Sequence, residues 1–140
     1  MGVEENKARQ RRVWEEVFNK GNLDIIPEFF APDYSFRSPL GIEAKGPDGF
    51  KQMVAMMRTA LPDFHCTVED MFGEGDKVAC RVTVTGTFKG EMMGILPTGK
   101  KATIQAILIT RWADGKEIEA WESLDTVAFY QQLGIPIPGQ

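Results

Sequence analysis

Apolar residues Val13, Trp14, Val17 and Phe18 recur at i, i+1, i+4 and i+5, a spacing that predicts a helix over residues 4–20 with one buried face. Gly21 is placed to end that helix, and Asn22 to cap a short second one carrying Ile25, Ile26, Phe29 and Phe30. Pro32-Asp33 is expected to break the second helix, and the alternation from Tyr34 to Ser38 predicts a short strand. Gly46-Pro47-Asp48 then opens a third helix, since proline is favoured at the first helical position. Phe50, Met53, Val54, Met57 and Leu61 follow at helical spacing until Pro62 stops the run.

From residue 64 to about 125 the period changes to two, the signature of strands. Glu74-Gly75-Asp76-Lys77 suits a two-residue hairpin, and Ala113-Asp114-Gly115-Lys116 carries the stronger Asp-Gly signal. Regular pairing from the first turn sets Met71 opposite Cys80, Asp70 opposite Arg81, Val68 opposite Thr83 and His65 opposite Gly86. From the second turn it sets Trp121 opposite Leu108, Ser123 opposite Ala106 and Asp125 opposite Ile104. Val127, Phe129, Tyr130 and Leu133 make a short terminal helix or turn, ended by Gly134. The fold class expected is α+β: helices gathered on one side of a curved antiparallel sheet, in a single domain spanning residues 1–140. Such a sheet leaves a hollow under the helices, which is the default place for a ligand.

Composition narrows the function. A chain of 140 residues with 43% apolar and 26% charged content is long and mixed enough to bury a core. The net charge of −4 provides no basic field for nucleic acid or an anionic membrane, so neither is expected as a partner. Lys7, Arg9, Arg11 and Arg12 are interleaved with Glu4, Glu5, Glu15 and Glu16, as on a solvated helix face. No apolar run approaches the roughly 18 residues that span a bilayer, and the charged start does not resemble a secretory signal. A cytoplasmic location is the expectation. The regular hairpin register puts Cys66 and Cys80 on opposite sheet faces, so they read as small buried hydrophobes rather than a disulfide or metal ligands.

Chemistry could reside at several positions. Alternation puts Trp121, Ser123 and Asp125 on one strand face. A carboxylate beside a large aromatic in a dry hollow resists ionisation and can act as a general acid or base. Asp125 is equally placed to cap the terminal helix. In the first hairpin, the face with His65, Thr67, Glu69, Met71, Val78, Cys80, Val82 and Val84 has the longer apolar run and is expected to be concave. That choice aims His65, the sole histidine, at the hollow and Arg81 away from it, toward Asp70. Tyr34 could donate to a developing oxyanion or lie in the core with its hydroxyl at the rim. The methionines at 53, 56, 57, 92 and 93 suit an adaptable apolar lining or ordinary core packing. No G-x-S-x-G, P-loop, H-E-x-x-H or dinucleotide fingerprint occurs. The segment Gly86-Thr87-Phe88-Lys89-Gly90 follows a strand and reads as a bend or bulge rather than a phosphate cradle.

In several segments the chain resembles the SnoaL-like polyketide cyclases, also called ester cyclases. These segments are Pro62-Asp63-Phe64-His65, Glu74-Gly75-Asp76-Lys77-Val78, Gly94-Ile95-Leu96-Pro97-Thr98-Gly99-Lys100, Trp121 through Asp125, and Gln131-Gln132-Leu133-Gly134. The resemblance implies a cone-shaped α+β fold shared with nuclear transport factor, with one apolar pocket per subunit and usually a homodimer. It implies a cofactor-independent enzyme, without metal, that closes a ring by an aldol-type reaction on a small hydrophobic carbonyl compound. The resemblance implies Asp125 as the acid/base; Trp121, His65, Tyr34, Trp14, Phe18 and Met53 are the candidates for lining the substrate site. Many relatives carry histidine where this chain has Phe88 and Ala120, which leaves His65, Tyr34 or water to assist Asp125. An isomerase, a dehydratase, an epoxide hydrolase or a non-catalytic hydrophobic-ligand-binding module would use the same scaffold.

Overall fold

The computed structural model describes residues 2–138. Its N-terminal helix α1 covers Val3–Arg12 and continues over Val13–Asn19 with the wider π-helical turn. Val13, Trp14, Val17 and Phe18 are all buried there, as their spacing predicts. Asn19 fastens the end of this segment to the sheet. Its side-chain amide donates to the Cys66 carbonyl at 2.9 Å, and its Oδ1 accepts from the Cys66 N–H at 2.7 Å. Gly21, at φ +72°, then turns the chain. A single 3₁₀ turn at Leu23–Ile25 leads into α2, Ile26–Phe29, with no cap bond from the Asn22 side chain.

Strand β1, Phe30–Arg37, begins four residues earlier than the sequence pattern predicts. Pro32 and Asp33 lie where its pairing with the neighbouring strand shifts register, an irregularity in which proline's missing N–H costs no ladder bond. A short β2, Glu43–Lys45, folds back on β1 and was not anticipated. Helix α3, Gly46–Ala60, starts at the expected Gly-Pro-Asp and buries Phe50 and Val54. Four long strands follow: β3 His65–Glu74, β4 Lys77–Thr87, β5 Lys101–Ala113 and β6 Lys116–Leu124. Helix α4, Thr126–Leu133, closes the order and ends at Gly134 in the left-handed region. The sheet runs β2-β1-β6-β5-β4-β3, antiparallel except between β1 and β6, and its inner face packs with the helices into one core cluster. This is the α+β architecture expected, with the helices on the concave side.

Both hairpin turns form where predicted, with Glu74 opposite Lys77 and Ala113 opposite Lys116. Asp114 and Gly115 both have positive φ, the conformation an Asp-Gly hairpin loop requires. Beyond each turn, however, one residue bulges out and inverts the remaining alternation. In β3 the shift falls between Val68 and Asp70, so Met71 still opposes Cys80 and Asp70 opposes Arg81, but Val68 meets Val82 and His65 meets Thr85. Cys66 and Val68 therefore turn inward and His65 outward, which corrects the predicted face of this half-strand. Cys66 and Cys80 are both buried on the inner side, and both are free thiols. In β6 the shift falls at Ile118, so Trp121 meets Ile109 and Ser123 meets Ile107.

Candidate functional site

The core is not filled. Between the inner sheet face and the helices lies a cavity of about 160 Å³, walled almost entirely by apolar side chains. Trp14 and Phe18 from the π-helical segment, Met53, Met56 and Met57 from α3, and Phe129 and Leu133 from α4 form its helical side. Val82, Val84, Ala106, Leu108 and Ala120 form the sheet side. The segment after β4 bends across one end and brings Met92 to the lining. Lys89 and Gly90 there both donate backbone N–H to the Ala60 carbonyl, and a Cβ on Gly90 would collide with the Thr59 carbonyl. The Gly86–Gly90 stretch is thus a tight bend against α3, as expected.

Two carboxylates interrupt the apolar wall, and neither was singled out from the sequence. Glu117 is 3% exposed, before the β6 bulge, and Glu122 lies beyond it. Burial pushes the Glu117 carboxyl up to about 8, and the nearby Tyr34 phenol offsets only part of that. Burial likewise pushes Glu122 up to about 7, offset in part by the Ser38 hydroxyl. No guanidinium or ammonium enters either balance. Burial, and after it the charge of Glu117, holds the Tyr34 phenol well above its ordinary value. Near pH 7 the cavity therefore offers one carboxyl that holds its proton and one close to half-ionised. That is the combination general acid–base catalysis requires.

The residues anticipated from the sequence divide into two groups. Tyr34, Trp14, Phe18 and Met53 line the cavity. Trp121 and His65 do not: the β6 bulge turns Trp121 outward, 45% exposed beneath the Lys77 ammonium, and the β3 bulge leaves His65 on the solvent side. Asp125 is exposed, outside the lining, and its Oδ1 accepts the Ala128 N–H at 2.9 Å as the N-cap of α4. The shared face predicted for Trp121, Ser123 and Asp125 is the outer one for the two β6 residues, whereas Asp125 follows the strand's end. Arg81 points outward and binds Asp70 at 2.7 Å, as expected. Burial drives the Cys66 and Cys80 thiols to about 12 and about 11, which keeps them protonated and unreactive. Among the described residues no group of three His, Cys, Asp or Glu side chains could hold a metal ion, and no helix is long and apolar enough to cross a membrane.

Known proteins resemble this chain in sequence and in fold. The chain is 29% identical over 126 residues to aklanonic acid methyl ester cyclase AcmA of Streptomyces galilaeus, covering 88% of this chain and 87% of that one. It is 29% identical over 125 residues to the nogalonic acid methyl ester cyclase of Streptomyces nogalater, covering 87% and 92%. In fold it superposes on TsrD from Streptomyces laurentii with a TM-score of 0.85, at 22% identity, over 97% of this chain and 99% of that one. Residues 8–133 match the SnoaL-like polyketide cyclase family, and the chain belongs to that family.

Proposed function

We propose that this protein is a cofactor-independent cyclase of the polyketide type, in which Glu122 and Glu117, rather than Asp125, carry the proton transfers. The observation behind this assignment is the pair of buried carboxylates on the wall of an otherwise apolar cavity, each with a hydroxyl neighbour and neither with a cation. Ionised Glu122 removes a proton from a carbon next to a substrate carbonyl. The carbanion attacks a second carbonyl carbon, a C–C bond forms, and the new alkoxide takes the Glu117 proton. Glu122 then holds a proton that Glu117 lacks, and one proton exchange restores the starting state. The apolar walls fold the substrate into the reactive conformer and keep water from quenching the carbanion. Trp14, Phe18, Met53 and Tyr34 belong to the substrate-binding surface in this scheme.

The chain is also proposed to pair as a homodimer through the outer sheet face, where Phe72, Ile107, Ile109 and Trp121 stand exposed. The enzymatic proposal is tested with aklanonic and nogalonic acid methyl esters, the compounds named for its relatives. Wild type, Glu117→Gln and Glu122→Gln are incubated with each ester, and ring closure is followed by chromatography and mass spectrometry. Turnover by wild type with a loss of about 10²–10⁴ in each variant is expected. Unchanged rates in both variants, or no turnover of esters that bind, would overturn it.

A further inference from the structure

Three buried side chains at one end of the cavity form a hydrogen-bond relay that no proton-transfer step above uses. Trp112 Nε1 can only donate, and it gives its proton to Thr110 Oγ1 at 2.8 Å. Thr110 Oγ1, having accepted that bond, gives its own proton to Gln10 Oε1 at 2.8 Å; the alternative acceptor, the Val78 carbonyl, is farther away at 3.4 Å. The order of donors therefore fixes which way the Gln10 amide faces. Its oxygen is engaged by Thr110, which leaves the two Nε2 protons as the amide's donors at the cavity lining. Gln10 is 2% exposed, yet both it and Thr110 line the cavity. An aliphatic side chain would fill that position without setting an amide in an apolar wall, which is costly. The amide at this place is explained by an oxygen that arrives with the ligand.

The surroundings define that oxygen. Trp112 pairs with Glu117 across the β5–β6 ladder, so the relay stands at the Glu117 end of the cavity. With Glu117 and Glu122 both in the wall, an anionic ligand group is repelled once either ionises. A neutral carbonyl oxygen accepts an amide N–H proton and is not repelled. We infer that the Gln10 amide is the binding site for a neutral carbonyl oxygen of the substrate, with Thr110 and Trp112 as its positioning residues. This rests on the cavity being a ligand site, but not on either carboxylate moving a proton.

The test uses 1-tetralone and tetralin, fused bicyclic compounds that differ by one carbonyl oxygen, titrated into the full ¹⁵N-labelled chain. The Gln10 side-chain amide resonances, assigned through bonds, are expected to shift with 1-tetralone and stay in place with tetralin. Gln10→Leu is expected to weaken 1-tetralone about tenfold and tetralin less than about twofold. Equal weakening of both compounds, or an amide indifferent to the ketone, overturns the inference while leaving the acid–base scheme intact. Binding of neither compound overturns the cavity as a ligand site as well. If Gln10→Leu does not fold, the wild-type resonances decide alone.

Discussion

The Tyr34 phenol and the Glu117 carboxyl face the same cavity, and that neutral neighbour does not offset the cost of burying the carboxylate. The consequence appears in stability. The folded-state pKa of Glu117 is raised to about 8 from an ordinary 4.5, so between those values the folded chain holds a proton that the unfolded chain releases. Stability from this group is fully present below about pH 4.5 and is lost as pH rises through 8. Glu117→Gln is therefore expected to match wild type near pH 5 and to exceed it at pH 8 by on the order of 2–4 kcal/mol. Urea unfolding at the two pH values measures this, and parallel curves for the two proteins would contradict it.

Activity should carry the same two groups as a bell. The rate needs Glu122 ionised, which gives a rising limb near its pKa of about 7, and Glu117 protonated, which gives a falling limb near 8. A profile of kcat/KM against pH on whichever ester is turned over should show both limbs. In the residual activity of Glu122→Gln the rising limb should vanish while the falling limb stays. A profile flat from pH 6 to pH 9 would remove both carboxylates from the mechanism.

Periodicity located the helices, both hairpin turns and the inward face of β4, because those follow from local spacing and turn chemistry. It failed for the outer half of β3 and for β6, because a one-residue bulge is a tertiary event that exchanges the two faces of a strand. Glu117 and Glu122 differ by an odd number of positions, so regular alternation cannot place both in one cavity; the bulge at Ile118 does. One signal was present. Arg111 and Glu119 have complementary charges but stand one position out of the regular register, and they meet at 2.6 Å only because the strand slips there. Val68 with Val82 and Cys66 with Val84 give the matching hint in β3.

Asp125 makes a separable prediction, since its carboxylate is spent on the Ala128 N–H. Asp125→Asn keeps an N-cap acceptor and should change stability by only a few tenths of a kcal/mol, whereas Asp125→Ala should cost about 1 kcal/mol. Both should keep turnover within about threefold of wild type, because neither touches the cavity wall. A drop of a hundredfold in kcat for Asp125→Asn, with its melting temperature unchanged, would return the acid–base role to Asp125.

The outer sheet face supplies the last prediction. Ile107 is 51% exposed, and Ile109 and Trp121 are 39% and 45% exposed, on adjacent strands of that face. Ile109 and Trp121 are direct cross-strand partners, so the apolar surface is continuous rather than scattered. Lys77 lies 5.7 Å from the Trp121 ring centroid and covers only part of it. Leaving such a surface in water is unfavourable by roughly 25 cal/mol for each Å² that a partner would cover. Ile107→Glu combined with Ile109→Glu places two carboxylates at the centre of the patch and should convert a dimer to a monomer in sedimentation equilibrium. The cavity lies on the opposite face, so the monomer should still bind 1-tetralone. A wild-type chain that sediments as a monomer at high concentration would show that this face is left to solvent.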